Sequence, residues 1–235
     1  MANGTVVITA SKLKRRKKFS KISKIVILVL LLLLTIAYFV LGIIYSGGRF
    51  TITLDKSFGL DSGIVIYDNS TIKDGKFKLY ADDLDFMDNI SYKWIPSDID
   101  NMGDGGHNGD NYIAYTFYIE NRGNEVIHYW YQITIDDVIR NVDEAIRIMI
   151  IHNGERKIYA KANSTTGDAE EDTYLFYDNE IPVLEQREKF APGDIDKFTI
   201  VVWLEGDDPD CVNALIGGEI KMHMDITEEH IEQDK

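Results

Sequence analysis

Residues 112–121, YIAYTFYIEN, and residues 126–135, VIHYWYQITI, are the stretches that decide the fold. Both are dense in β-branched and aromatic residues, which are enriched in strands. Alternation in the first stretch places Tyr115, Phe117 and Ile119 on one face, as expected of a half-buried strand. The segment Asn121-Arg122-Gly123-Asn124 has turn chemistry. The sequence therefore predicts that the two stretches form a long antiparallel hairpin.

Shorter runs of the same kind occur on both sides of these stretches. They are residues 50–54, 63–67, 76–80, 147–151, 156–160, 173–177, 196–206 and 219–226. Asn153-Gly154 predicts a hairpin turn and Pro192-Gly193-Asp194 another turn, whereas 136–144 predicts a brief helical turn with Asp136 or Asp137 as its N-cap. Residues 219–226 alternate, with Ile220, Met222, Met224 and Ile226 on one face. The fold class predicted for 46–226 is all-β: an antiparallel, jelly-roll-like β-sandwich.

An apolar segment precedes this domain. Residues 25–45, IVILVLLLLLTIAYFVLGIIY, contain no charge and no proline, and as a helix they would match the hydrocarbon thickness of a bilayer. They predict one transmembrane helix. A cleaved signal peptide, cut near Ser46-Gly47-Gly48, is the alternative, although this match to a cleavage site is weak.

The basic residues set the expected orientation. Residues 1–24 carry Lys and Arg at positions 12, 14, 15, 16, 17, 18, 21 and 24 and no acid. Positive residues mark the cytoplasmic side, so residues 1–24 are predicted to be a cytoplasmic tail and 46–226 an extracellular domain in a single-pass cell-membrane protein. Residues 227–235 are predicted to be a polar tail that frays.

Charge and cysteine content limit the classes of partner and the cellular environment that fit this chain. The chain has a net charge of −14, and subtracting the +8 of residues 1–24 leaves −22 for the remainder, which disfavours nucleic acid as a partner. The expected partners are membrane lipid, through the anchor, and a protein or cell-wall component. The single cysteine, Cys211, permits no internal disulfide, which fits a bacterial surface. Cys211 could form an intermolecular bridge or be a small buried apolar residue.

Acidic loops are the clearest candidate site. Residues 98–111 and 205–210 are rich in carboxylate and amide oxygens, which Ca²⁺ prefers, although the EF-hand spacing is absent. The candidate calcium ligands are Asp98, Asp100, Asp104, Asp110, Asp207, Asp208 and Asp210. The second loop could fold near the first, or near Asp82, Asp83 and Asp85. The alternative is that these residues form solvated turns or caps, with no cofactor.

The tryptophans and histidines give weaker signals. Trp203 and Trp130 lie inside strong strand patterns and are predicted to pack in the core. Trp94 lies in a loop-like stretch and is as consistent with a carbohydrate-binding platform as with core packing. The five histidines form no metal-binding motif, and no nucleotide-binding or serine-hydrolase motif is present. No catalytic residues are therefore predicted.

Several of these segments together carry a family resemblance. Residues 110–226, with YTFYIENRGNEVIHYWYQITI, the turn APGD, FTIVVWLEGDDPDC and GGEIKM, resemble bacterial, Firmicute-type cell-surface proteins of the broad TasA/camelysin-like group. The sharpest motif is WLEGDDPDC, residues 203–211. The resemblance implies a surface-exposed β-sandwich with fibre or matrix association. The retained anchor departs from the secreted members and disfavours free assembly into fibres.

The function expected from these features is that of a non-enzymatic, membrane-tethered cell-surface module. Its role would be in cell-envelope interactions, matrix or assembly, with binding through sheet edges or loops. The alternative is a membrane-anchored hydrolase, or an accessory or sensor subunit of a transport or secretion complex.

Overall fold

The computed structural model describes residues 10–45, 50–55, 63–84 and 86–230. They belong to two compact units, Met1–Gly47 and Gly48–Lys235. The first unit contains one α-helix, α1 (Ala10–Tyr45). The predicted anchor thus forms the second half of a longer helix, and the basic segment before it is helical from Ala10. The boundary at 46 and the proposed cleavage site lie outside the described residues.

One stretch of α1 is suited to a membrane. Residues Lys21–Val40 have a mean hydropathy of 2.6 and bury nothing within their own unit. A run of this length and composition could serve as a membrane anchor or as a signal sequence. The existence of an apolar helix near the N-terminus is therefore confirmed.

The second unit consists mainly of strands. They are β1 (Thr51–Asp55), β2 (Ile64–Tyr67), β3 (Lys78–Tyr80), β4 (Gly105–Gly106), β5 (Tyr112–Asn121), β6 (Ile127–Ile139), β7 (Ile146–His152), β8 (Glu155–Ala160), β9 (Tyr174–Leu175), β10 (Val183–Phe190), β11 (Ile195–Leu204) and β12 (Glu219–His230). Short 3-10 turns lie at Tyr92–Trp94, Ile99–Asn101, Val142–Glu144 and Asn213–Leu215. The strand-rich class predicted from sequence is confirmed.

The strands form two mixed sheets. The five-stranded sheet has the order β10-β6-β12-β1-β3, and the seven-stranded sheet has the order β2-β5-β11-β7-β8-β9 with β4 paired to β5. Most pairs are antiparallel, but β1 runs parallel to β12 and β8 parallel to β9. The prediction of a wholly antiparallel arrangement is therefore wrong for these two pairs.

Both sheets contribute to one hydrophobic core. From the seven-stranded sheet come the predicted inward face of β5 and residues of β2, β7 and β11, including Phe117 and Phe198, whose rings stack with centroids 5.3 Å apart. The five-stranded sheet contributes residues of β1, β6, β10 and β12, including Tyr129 and Met224. Burying these side chains supplies the main driving force for folding a unit without a disulfide.

The predicted hairpin of 112–135 is wrong. Its two strands form as expected, but β5 pairs with β2, β4 and β11, while β6 pairs with β10 and β12. The buried Asn121 makes the corner between the sheets: its amide donates to the carbonyl oxygens of Glu125 and Phe190, and its Oδ1 accepts from the Gly123 amide. Gly123 also lies so close to Gly63 that a Cβ on Gly63 would meet its Cα at 2.6 Å.

Other differences concern the limits of elements. Strand β6 continues to Ile139, so Asp136 and Asp137 lie in a strand rather than capping a helical turn, and the 3-10 turn follows Asn141, which has φ 53°. Strand β12 likewise runs to His230, into the segment predicted as a polar tail. Pairing with each other extends both strands, because Ile139 is opposite Glu219 and Ile127 opposite His230. The hairpin of β7 and β8 at Asn153-Gly154 is confirmed.

A second, smaller core lies on the other face of the seven-stranded sheet. Residues of 90–99 pack on it, with Ile90, Ile95 and Ile99 buried against Met149 and Val201. Trp203 is fully buried there, and its Nε1 donates to Glu205, which also accepts from the Tyr92 amide. The core position predicted for Trp203 is confirmed. The face of this sheet that is turned away from the main core is therefore covered by its own chain.

Candidate functional site: the open face of the five-stranded sheet

Among the residues that the structure describes, none covers the outer face of the five-stranded sheet, opposite its core side, so this face is open. Strand register arranges its side chains in three rows, which are Gln186, Trp130, Thr227 and Asp55; Leu184, Gln132, Asp225, Thr53 and Lys78; and Thr134, His223, Thr51 and Tyr80. None of these residues is buried, whereas the residues that alternate with them on β1, β6 and β12 are. We call this surface the open face.

Hydrogen-bonding groups dominate the open face. Threonine hydroxyls, glutamine amides and carboxylates offer both donors and acceptors, and two aromatic rings, Trp130 and Tyr80, stand among them, 36% and 56% exposed. The core position predicted for Trp130 is wrong. Tyr129, Tyr131 and Ile133 occupy the core side of β6, so the period of two turns Trp130 outward.

Two neighbouring strands hold the Trp130 ring in place. Glu229 on β12 accepts a hydrogen bond from the Trp130 indole Nε1 at 2.7 Å, and the same Oε2 accepts from Gln186 on β10 at 2.8 Å. A side chain that is fixed before binding loses less conformational entropy on binding. Trp130 is therefore a preorganised aromatic surface.

A second polar group lies further along β12. The His223 imidazole is flanked by two carboxylates, with Nδ1 2.9 Å from Asp136 and Nε2 3.2 Å from Asp225. The carboxylates stay accessible, since the side chains of Asp136 and Asp225 are 49% and 39% exposed. The sequence did not indicate this group, because Asp136 is 87 residues from His223 and meets it only through strand register.

Carboxylates outnumber ammonium groups on the open face. Within the three rows the acids are Asp55 and Asp225 and the base is Lys78, and at the ends of the rows Asp136 on β6 and Glu229 on β12 add two further carboxylates. The end of the sheet beyond the rows adds Asp137 opposite Lys221 and leaves this balance unchanged. The open face therefore favours neutral or positively charged ligands.

The structure separates most of the first predicted calcium loop from the second, whereas Asp110 lies towards the second, because Tyr112 pairs with Trp203 near the end of β11. Asp104, of the first loop, accepts from the Ser70 amide and hydroxyl and from Tyr118. Tyr118 pairs with Lys197 near the start of β11, whereas 205–210 follow its other end, about 26 Å away at the rise of a strand. Of the other predicted ligands of that loop, Asp98 and Asp100 lie at the 3-10 turn of Ile99–Asn101, and Asp110 is in the turn before β5.

Two predicted ligands in the second loop do meet, together with one that the sequence did not indicate. Glu170, Asp208 and Asp210 have ligand atoms within 4.8 Å of one another, and we call them the acidic triad. All three are already engaged: Asp208 is paired with Arg147 at 2.5 Å, Asp210 accepts from the Ser164 amide, and Glu170 accepts from the Asn163 side chain at 3.0 Å. Asp207 instead accepts from the Ser91 hydroxyl.

These partners also affect acidity in the second loop. The hydrogen bonds from Ser164 lower the pKa of Asp210. Burial raises the pKa of the Cys211 thiol, and the Asp208 and Glu205 carboxylates raise it further. The Cys211 thiolate, the reactive form, is therefore disfavoured.

A buried polar network connects the two sheets elsewhere. The Asp196 carboxylate on β11 accepts from the Tyr129 hydroxyl at 2.5 Å and from Arg187 Nε at 3.1 Å, and His152 Nε2 lies 3.3 Å away. Asn153 donates to its other oxygen at 2.7 Å. Burial alone would raise the pKa of Asp196, but hydrogen bonds from His152, Tyr129 and Asn153 outweigh it and lower this pKa to about 2.

This network resembles a catalytic arrangement only in its residue types. Asp196 and Tyr129 are 2% and 0% exposed, respectively, so a substrate cannot reach them. Burial raises the pKa of Tyr129, as does its hydrogen-bonded neighbour Asp196, which keeps the phenol protonated as a donor. The geometry is that of a structural cross-link between β6, β10, β7 and β11.

Comparisons of the chain with protein-family models, with curated proteins and with solved structures give no match. The resemblance of residues 110–226 to the TasA/camelysin-like group therefore stays a prediction.

Proposed function

We propose that this chain is a non-enzymatic cell-surface module, tethered by α1, that binds a component of the cell envelope through the open face. In this proposal the basic end of α1 is cytoplasmic and the strand-rich unit lies outside. The two sheets form a jelly-roll-like sandwich, which the shared core and the order of the strands support.

The observation that carries the proposal is the contrast between the two outer faces. Residues 90–99 cover the outer face of the seven-stranded sheet and bury apolar groups beneath them. The open face, in contrast, exposes a fixed indole ring among groups that form hydrogen bonds. Trp and Tyr are enriched where binding energy is concentrated, so the open face is suited to recognition.

The hydrolase alternative has less support. The group around Asp196, whose residue types resemble a catalytic constellation, is buried and therefore inaccessible to a substrate. The His223 group is accessible, but both of its imidazole nitrogens are hydrogen-bonded to carboxylates, so neither is aimed at a hydroxyl or thiol that it could activate. Binding without turnover is therefore the function that we propose.

A labelling experiment tests the orientation. In a Cys211→Ser background, cells produce the full chain with either Thr71→Cys, at an exposed position, or Ala2→Cys. A membrane-impermeant maleimide should label Thr71→Cys in intact cells and Ala2→Cys only after permeabilisation. Reversed labelling, or release of a shortened chain into the medium, would contradict the tethered arrangement.

A sedimentation experiment tests binding. The full chain in lipid nanodiscs is mixed with insoluble cell walls from the producing bacterium, and the bound fraction is measured for the unmodified chain, for Trp130→Ala and for Trp94→Ala. Trp94 is 72% exposed but lies in a 3-10 turn outside the open face, so it is a matched control. We expect Trp130→Ala to lose binding and Trp94→Ala to retain it. Equal loss in both variants, or no sedimentation, would refute the proposed function.

A further inference from the structure

We propose that the ligand of the open face is a polysaccharide whose sugars carry free amino groups. This inference rests on the proposed function and specifies the chemistry of its partner. It combines three properties of the open face: its charge, its fixed aromatic ring and its neutral hydrogen-bonding groups.

Charge selects among the polymers that surround a cell. Residues 25–235 have a net charge of −22, from −14 for the chain and +8 for residues 1–24. A surface of this sign repels polyanions, such as phosphate-containing wall polymers, and attracts polycations. The carboxylates of Asp136 and Asp225 have accessible oxygens, so each can accept a charge-assisted hydrogen bond from an ammonium group.

The two aromatic rings of the open face suit the apolar C–H faces of a sugar. Pyranose rings have C–H faces that pack on aromatic rings, and Trp130 is held for such a contact by Glu229. Tyr80 lies three strands and two rows away, about 20 Å by strand spacing and rise, so the two rings can contact one extended chain at separate sugars.

Neutral groups fill the area between the two rings. Gln132 and Thr134 on β6, Thr227 on β12, and Thr51 and Thr53 on β1 all point to the open face. Their amides and hydroxyls can both donate and accept, which matches the mixed donors and acceptors of sugar hydroxyls. A second copy of this chain is disfavoured, because two such acidic faces repel one another.

Binding measurements with three soluble probes test the inference. The full chain in nanodiscs of zwitterionic lipid is titrated with a glucosamine oligomer, with its fully N-acetylated counterpart and with a phosphate-containing polymer. We expect the glucosamine oligomer to bind at least about tenfold more tightly than the acetylated one, since the ammonium contacts are charged. Raising the salt concentration should weaken its binding by screening, and the polyanion should not bind.

Variants assign the binding to the open face. Trp130→Ala should weaken binding of the glucosamine oligomer about tenfold, and Asp225→Asn together with Asp136→Asn should weaken it and reduce its dependence on salt. Trp94→Ala is the control and should leave affinity unchanged. An unchanged melting temperature in Trp130→Ala excludes unfolding as the cause. If Trp130→Ala is destabilised, Trp130→Phe, which keeps an aromatic ring, should recover most of the affinity for the glucosamine oligomer.

The outcomes separate the two proposals. Equal affinity for the acetylated and amino oligomers would overturn the charge argument, and binding of the polyanion would overturn it as well. Failure of the glucosamine oligomer, combined with Trp130-dependent sedimentation on cell walls, would refute the ligand class and leave the proposed function standing. Failure of the glucosamine oligomer together with loss of Trp130-dependent sedimentation would refute the ligand class and the proposed function.

Discussion

The Asp196→Asn substitution would test whether charge in the buried network stabilises the fold. Asparagine preserves the shape of the side chain but removes its charge, so it resembles the protonated acid. In the native protein Asp196 is 2% exposed and accepts hydrogen bonds from Tyr129, Asn153 and Arg187. The substitution therefore leaves the volume of the side chain, removes the charged interactions between the sheets and replaces one accepting oxygen by an NH2 group, so the loss of charge sets the smallest effect expected.

The expected magnitude follows from the pKa of Asp196. Folding lowers this pKa from 3.8 to about 2, so the folded state holds the carboxylate more strongly than the unfolded state does. The contribution is complete above pH 4 to 5 and is lost as the pH falls through the folded pKa. A shift of this size corresponds to about 2.5 kcal/mol at pH 7, about 1.3 kcal/mol at pH 3 and about 0.4 kcal/mol at pH 2.

The assay is urea denaturation of the full chain in mild detergent, followed by tryptophan fluorescence at several pH values. All three tryptophans lie beyond residue 47, so the signal reports on the strand-rich unit. Asp196→Asn should lower the free energy of unfolding by about 2.5 kcal/mol at pH 7, and the difference from the unmodified protein should shrink towards pH 2. Glu171→Gln, at an exposed position, is the matched control and should change little.

Two results would refute this reasoning. A loss of stability that stays constant from pH 7 to pH 2 would show that the change acts through packing rather than charge. A loss below about 0.5 kcal/mol at pH 7, within the range of ordinary surface substitutions, would show that the network contributes no net stability.

Three further predictions concern stability. Asp208→Ala should lower the free energy of unfolding by about 3–5 kcal/mol, because it leaves the Arg147 guanidinium buried without its partner. The double variant Arg147→Met with Asp208→Leu should recover most of this loss in urea denaturation. No recovery would contradict the explanation. Trp203→Ala should cost about 3–5 kcal/mol, since the ring is fully buried, whereas Trp94→Ala should stay within about 0.5 kcal/mol. Calcium at about 1 mM should leave the melting temperature within about 1 °C of its value in EDTA, because Arg147 already neutralises one member of the acidic triad; a rise of several degrees would instead support the calcium prediction.

The sequence was most informative where structure depends on neighbouring residues. The apolar segment within α1 was evident from its composition, and the Asn153-Gly154 turn predicted the β7–β8 hairpin correctly, because the φ of these residues, 52° and 85°, is a local preference of Asn and Gly. The inward face of β5 followed from alternation alone. Strand β10 was not predicted, because its sequence, VLEQREKF, is highly charged. The strand lies at a sheet edge.

The 112–135 region shows where local signals end. Two strands with a turn between them are equally consistent with a hairpin and with a corner that carries the chain from one sheet to the other. The choice depends on contacts remote in sequence: Asn121 reaches the Phe190 carbonyl, and Gly123 packs against Gly63. For the same reason, the sequence could not bring Glu170 together with Asp208 and Asp210.

The sequence by itself determined that this chain has an apolar helix near its N-terminus and a strand-rich acidic unit, since hydropathy, charge and side-chain alternation are properties of short segments. The tertiary structure alone decided which strands share a sheet and which face stays open. Trp130 illustrates the difference: its strand was predicted correctly, but its side of the strand was not. The side was fixed when β6 turned Tyr129 and Tyr131 into the core and left the indole ring on the surface, held by Glu229.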